Sequence, residues 1–148
     1  MTTFQCICVF CGSADHLNPE YILSATKLGG LLASEKIRMV FGGGKTGLMG
    51  AVAQGCMDAG GHVVGVITPD LDTPVLAFKS GFEKVVMPDL ESRKTRMREL
   101  ADAFIVLPGG YGTLDEFFST LTLAQLGLHA KPIGLLNTRN YFDPLMTA

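Results

Sequence analysis

One segment restricts the fold of this chain more than any other: Pro108-Gly109-Gly110-Tyr111-Gly112-Thr113-Leu114-Asp115-Glu116. It follows Ala103-Phe104-Ile105-Val106-Leu107, an apolar run of strand length. It precedes Phe117, Phe118, Leu121 and Leu126, which recur at helical spacing. A glycine-rich turn between strand and helix is where an α/β sheet offers free backbone N–H groups and a positive helix dipole to an anion. The same turn delivers a carboxylate, Glu116, to the start of the helix. Glycines that can receive a phosphate, with an acid beside them, point to chemistry on a phosphorylated molecule.

The rest of the chain repeats the alternation. Apolar runs at 5–10, 37–41, 62–67, 82–87, 103–107 and 132–136 read as strands, and 19–34, 48–59, 90–101 and 111–126 as helices. Gly60-Gly61 ends the second helix. Residues 68–81, with Pro69, Pro74, Asp70 and Asp72 and weak periodicity, read as a loop or a short helix. Strands alternating with helices imply an α/β fold with a parallel sheet covered on both faces. Continuous apolar strands fit burial on both sides. Ligands bind such sheets beyond the carboxyl ends of the strands. Three glycine-bearing turns fall there: Cys11-Gly12-Ser13, Gly42 to Gly47, and Pro108 to Thr113.

With 148 residues, 47% of them hydrophobic, the chain supports one domain with a core. A net charge of -2 without a block of like charge argues against a nucleic-acid partner. No apolar stretch is long enough to span a membrane. The N-terminus lacks a basic region ahead of an apolar run, so a cytoplasmic protein is expected. Cys6, Cys8, Cys11 and Cys56 have no partner motif that completes a zinc set and read as buried, reduced thiols. His16, His62 and His129 share no ligand spacing, so no metal site is expected. No Gly-x-Ser-x-Gly nucleophile elbow occurs.

Three constellations each admit two readings. Gly42-x-Gly44-x-x-Gly47 matches a dinucleotide fingerprint, with Asp70 as the ribose-binding acid of an NAD site; it also reads as a tight turn for helix–strand packing. Gly44-Lys45-Thr46 is not a Walker A loop, because that motif needs glycine at position 39 and Met39 is there. Thr113-x-x-Glu116 has the form of a capping box, but a cap does not explain Gly109, Gly110 and Gly112 crowded before it, which suggest close approach of a ligand to backbone. Arg93 and Lys94 fall within the apolar line of Leu90, Met97, Leu100 and Ala101. A guanidinium there needs an anionic partner, either Glu116 or a ligand phosphate, unless the side chain snorkels to solvent.

Pro-Gly-Gly-x-Gly-Thr-x-x-Glu resembles the hallmark of the LOG ("Lonely Guy") family, long labelled "possible lysine decarboxylase". The resemblance extends over Val9-Phe10-Cys11-Gly12-Ser13, Gly42 to Gly50, Arg93-Lys94, Ala101 to Ile105, Ala124-Gln125-Leu126-Gly127 and Lys131 to Asn137. Two departures stand out: Leu90-Glu91-Ser92-Arg93-Lys94 where relatives have Met-His-x-Arg-Lys, and Thr122-Leu123-Ala124-Gln125 where many have Thr-Trp-Ala-Gln. The family usually continues through further helix after Tyr141-Phe142-Asp143-Pro144-Leu145, so a single domain over 1–148 lacking that last helix is expected.

The resemblance implies a Rossmann-like, doubly wound parallel sheet, a homodimer, and hydrolysis of the N-glycosidic bond of a nucleoside 5′-monophosphate without metal or organic cofactor. Family substrates are cytokinin riboside 5′-monophosphates, with AMP the simpler relative. Carried over, Glu116 and Arg93 are the catalytic pair, Arg93 holding Glu116 ionised. Gly12, Ser13, Gly42, Gly43, Gly44, Lys94, Gly109, Gly110, Gly112 and Thr113 bind substrate, with Lys94 considered as proton donor to the leaving base. The rival readings are a non-catalytic nucleotide-binding module, an NAD-linked oxidoreductase, and a lysine decarboxylase, for whose pyridoxal phosphate the sequence supplies no convincing lysine site.

Overall fold

A computed structural model describes residues 3–78 and 81–148. Lys79 and Ser80, within the stretch read as loop or short helix, lie outside the described residues. The elements run β1 (Cys6–Phe10), α1 (Pro19–Ser34), β2 (Arg38–Phe41), α2 (Gly47–Asp58), β3 (Val63–Ile67), β4 (Glu83–Val86), α3 (Leu90–Leu100), β5 (Ala103–Val106), α4 (Tyr111–Gln125), β6 (Ile133–Leu135), a 3-10 turn (Thr138–Asn140) and α5 (Asp143–Met146). Every strand and helix expected from apolar periodicity forms, with ends shifted by a residue or so.

The strands pair in parallel in the order β4-β3-β2-β1-β5-β6. The chain moves outward from β1 through β2 and β3, then returns to the other side of β1 as β5. Strand order therefore reverses between β1 and β5, where a doubly wound sheet opens a crevice at its carboxyl edge.

Alternate residues of each strand feed two separate cores. Ile7, Val9, Met39 and Phe41 face α1 and α2, joined by Ala25, Leu32 and Val52. Cys6, Cys8, Phe10, Val64 and Phe104 face Met97 of α3 and Phe117 of α4, with Phe10 and Phe104 stacked at 5.7 Å. Burial on both faces holds for the central strands. It fails at β4, where only Val85 is partly covered, because an edge strand has sheet on one side and solvent on the other.

Residues 68–78 form turns rather than a regular helix. Thr68 O accepts from Leu71 N and Asp72 N at 3.1 Å, and the segment then lies antiparallel against the triple glycine, with Lys45 N donating to Leu76 O at 3.0 Å. Phe78 packs edge-on against Phe41 and Phe82, anchoring the returning segment to the core.

α1 and α2 pack backbone to backbone. A Cβ on Gly29 would lie 2.1 Å from Val52 O, and one on Gly55 would lie 2.4 Å from Thr26 O. Neither acceptor can retreat, since both belong to helix backbone. Gly29→Ala is expected to destabilise the fold by ~1–3 kcal/mol, the cost of overpacking a tight contact. Chemical denaturation checks this; wild-type stability in that variant would mean the helices separate freely.

Candidate active site

Three turns meet at the carboxyl edge of the sheet. After β1, Gly12 N donates to Pro108 O at 3.1 Å and Gly12 O accepts from Met49 N at 3.0 Å, so one residue ties the turn after β5 to the start of α2. Thr46 Oγ1 donates to Ser13 O at 2.7 Å, which ties the turn after β2 to the same place. A Cβ on Gly12 would lie 3.0 Å from Gly109 Cα, and one on Gly109 would lie 2.1 Å from Thr113 Oγ1. Glycine is what lets these strands of backbone touch.

The turns enclose a cavity of about 530 Å³. Of the residues expected to bind substrate, Gly12, Ser13, Gly42, Gly44, Gly109, Gly110, Gly112 and Thr113 line it, with Arg93 and Glu116. Two do not. Gly43 turns away at φ 82 and packs toward Ile67. Lys94 is buried on the far side of α3, where Nζ reaches Glu91 Oε1 at 2.9 Å and Asp115 Oδ2 at 3.0 Å. The Glu91 carboxylate, then Asp115, favours its protonated state. It braces α3 against α4 and does not line the cavity.

Arg93 does not pair directly with Glu116. Its Nε donates to Val66 O and Nη2 to Gly42 O, both at 2.8 Å, so the guanidinium sits on the carboxyl ends of β2 and β3. A Cβ on Gly42 would lie 2.2 Å from Nη2. The rest of the donor fork remains for the cavity.

Glu116 is also placed differently from a capping residue. α4 begins at Tyr111, with Gly110 as its N-cap and no side-chain cap bond, so the expected Thr113–Glu116 capping box does not form. The box is found instead on α3, where Asp89 Oδ1 accepts from Ser92 N at 2.7 Å. The Glu116 carboxylate is free for the cavity. Burial pushes its pKa up to about 7, against the lowering effect of Arg93 and, more weakly, Lys94; Asp115 adds to the rise. Arg93 acts in the expected direction, lowering the pKa, but the desolvation of Glu116 outweighs a guanidinium already engaged by two carbonyls.

One wall is apolar, formed by Leu17, Met49, Ile67, Leu71 and Leu76. Asp70 opens onto a different cleft with Asp89 and Glu91, so the NAD reading loses its ribose acid. Cys11 lines the cavity, but burial pushes its thiol far up and leaves it inert. The other thiols are free and buried. The described residues contain no His, Cys, Asp and Glu group able to hold a metal ion, and no helix long and apolar enough to cross a membrane.

The family described as "Possible lysine decarboxylase" matches residues 49–148. The chain belongs to the LOG family. Among curated relatives it is 46% identical to a cytokinin riboside 5′-monophosphate phosphoribohydrolase, LOG7, of Arabidopsis thaliana, over 97% of this chain and 66% of that one. It is 45% identical to LOG3 of the same plant, over 97% and 67%, and 45% identical to a probable enzyme of this name in Oryza sativa subsp. japonica, over 97% and 68%. The chain spans about two thirds of the length of these relatives. Among solved structures, a molybdenum cofactor binding protein of Rippkaea orientalis superposes with TM-score 0.70 at 25% identity, over 99% of this chain and 87% of that one. A Moco carrier protein of Chlamydomonas reinhardtii superposes with TM-score 0.75 at 20% identity, over 96% and 82%, a likeness of fold alone.

Sequence reasoning missed Tyr21, Tyr141, Met49, Leu71 and Leu76 as cavity residues. Met49 was in reach, since it belongs to the helix opened by the triple glycine. Leu71 and Leu76 sit in the aperiodic stretch, where pattern carries no information.

A carboxyl group whose folded pKa lies above its unfolded value costs stability once the unfolded chain is ionised and the native one must follow. For Glu116 that loss grows between pH 4.5 and about 7 and is complete above it. Glu116→Gln is therefore expected to be more stable than wild type at pH 8, by on the order of 1–3 kcal/mol, and nearly equal to it at pH 4.5. Thermal unfolding at both pH values checks the sign; equal stability throughout would mean the carboxylate is well solvated.

Proposed function

We propose that this protein hydrolyses the N-glycosidic bond of a purine nucleoside 5′-monophosphate, AMP or a cytokinin riboside 5′-monophosphate, to free base and ribose 5-phosphate. The observation that carries the reading is one cavity holding an unpaired acid, Glu116, beside the uncapped N-terminus of α4. The curated relatives named for this activity support it.

The 5′-phosphate rests on the N–H groups at Gly110 to Thr113, near Gly12, Ser13, Gly42 and Gly44. The purine lies against the apolar wall. As the bond between C1′ and the base nitrogen breaks, positive charge develops on the ribose. Ionised Glu116 stabilises that charge and takes a proton from the water that attacks C1′. The base leaves with the bonding electron pair and takes up that proton, which a carboxyl of pKa near neutrality can release within the same cycle. Arg93 orients substrate with its remaining donors and keeps part of the Glu116 population ionised.

Glu116→Gln is expected to lower turnover ~10²–10⁴-fold. Arg93→Ala is expected to lose most activity. Wild-type activity should rise as pH climbs through about 7, the range in which Glu116 ionises. Chromatography of AMP and of isopentenyladenosine monophosphate incubated with each protein reads all three. Retained AMP binding with no base released would favour the non-catalytic binding module, a reading that the fold's likeness to a cofactor-binding protein keeps in view.

The proposal includes a homodimer in a reducing, cytoplasmic setting. Four free, buried thiols accord with that setting. For the dimer, α4 leaves Tyr111, Phe118 and Leu121 on its outer side, and Leu128 follows, with Tyr111 94% and Leu128 70% exposed. The spacing of Tyr111, Phe118 and Leu121 puts these three on one side of α4, and Leu128 lies beyond the helix end. Paired Phe118→Glu and Leu121→Glu substitutions are expected to yield a monomer by light scattering. An unchanged mass would move the contact elsewhere, and a monomeric wild type would remove it.

A further inference from the structure

The segment after β6 completes the cavity wall, and the reading above gives it no role. In its 3-10 turn, Arg139 and Asn140 adopt φ 54 and 59, two successive non-glycine residues in the left-handed region. Such backbone persists where its surroundings over-determine it, and it then invites a functional explanation. Here the surroundings are explicit. The Asn137 side chain accepts from Phe142 N at 2.6 Å and donates to Asp143 Oδ1 at 2.7 Å. Phe142 is buried in the core of the α3–α4 face. Arg139 Nη1 donates to Glu20 Oε1 of α1 at 3.1 Å.

What this clamp delivers is Tyr141. Its ring meets Tyr21 edge-on at 6.1 Å, and both tyrosines line the cavity. Its hydroxyl donates to Gly109 O at 2.5 Å. The preceding carbonyl, Pro108 O, is held by Gly12 N. In a planar trans peptide the Gly109 carbonyl and the Gly110 N–H point in opposite directions, so a donor that holds the first also fixes the second. Among the described residues the Gly110 N–H meets no acceptor, and beyond its immediate chain surroundings no atom lies within 4 Å of where a Gly110 Cβ would be. Glycines on both sides leave this peptide little intrinsic resistance to rotation. The tyrosine hydroxyl supplies the restraint that the chain itself lacks.

We propose that Tyr141 is a positioning residue for the phosphate end of the cavity, aiming the Gly110 N–H at the 5′-phosphate by locking the Gly109–Gly110 peptide. This rests on the phosphate placement proposed above. It predicts a loss specific to phosphorylated ligand, which a purely structural role would not produce.

The test is calorimetric titration of Glu116→Gln protein, whose turnover is expected to be slow on the timescale of the titration, with and without Tyr141→Phe, using AMP and adenosine. Tyr141→Phe should weaken AMP about tenfold, the worth of one charge-assisted hydrogen bond, and leave adenosine unchanged. In the catalytic background the same change should raise KM for AMP and leave kcat within about twofold. Tyr141→Ala should lose adenosine affinity as well, since it also removes the ring. Unchanged AMP affinity in Tyr141→Phe, or equal losses for AMP and adenosine, would overturn the assignment. So would a protein that does not prefer AMP to adenosine, because the phosphate placement would then be wrong. If wild type binds AMP but releases no base, the hydrolase reading falls, and the AMP-to-adenosine comparison still decides Tyr141.

Discussion

The site depends on one residue at the sheet's reversal point. Gly12 gives its N–H to Pro108 and its carbonyl to Met49, joining the ends of β1 and β5 to the beginning of α2. A side chain there would meet Gly109 Cα at 3.0 Å and push the turns apart. A doubly wound sheet leaves a crevice at this point in any case. Here backbone bonds draw the turns around that crevice together, so the glycine turns, Arg93 and Glu116 line one cavity although 104 residues separate Gly12 from Glu116.

Within the cavity two electrostatic effects oppose each other at Glu116. Burial favours the neutral acid and Arg93 favours the carboxylate. Burial prevails because the guanidinium is not given to the acid. It is spent on Gly42 O and Val66 O, where it holds the carboxyl ends of β2 and β3 together. The result is a carboxyl group close to its midpoint near neutral pH, able to take a proton and return it, as general acid–base catalysis requires. A direct ion pair would have made Glu116 a weaker base.

The sheet was legible in the sequence because the strands other than β4, which begins Glu83-Lys84, are short, mainly apolar runs bounded by turn residues, and each helix carries its own period. The glycine turns were legible for a related reason, since clustered glycine has few structural uses other than close backbone approach. Other features depend on tertiary partners. Whether Lys94 faces the cavity or Asp115 is decided by the packing of α3 on α4, and two neighbouring cations on one apolar line look alike in sequence. Thr113 and Glu116 have capping-box spacing, but α4 starts before Thr113, so the spacing has no cap to make. Tyr141 lies 32 residues beyond Gly109 in sequence, and only the turn after β6 brings them together.

The same packing accounts for the two departures from the family pattern. Glu91 stands where relatives carry histidine, and its carboxylate is absorbed by Lys94 on the face of α3 that turns from the cavity. Leu123 stands where many carry tryptophan, and it is a half-buried residue of α4 that does not reach the cavity. Both changes alter how α3 and α4 are braced or covered and leave the cavity wall intact. Differences in base preference within this fold are then better sought in Leu71, Leu76 and Met49, apolar residues that line the cavity, than in the glycine turns proposed to hold the phosphate.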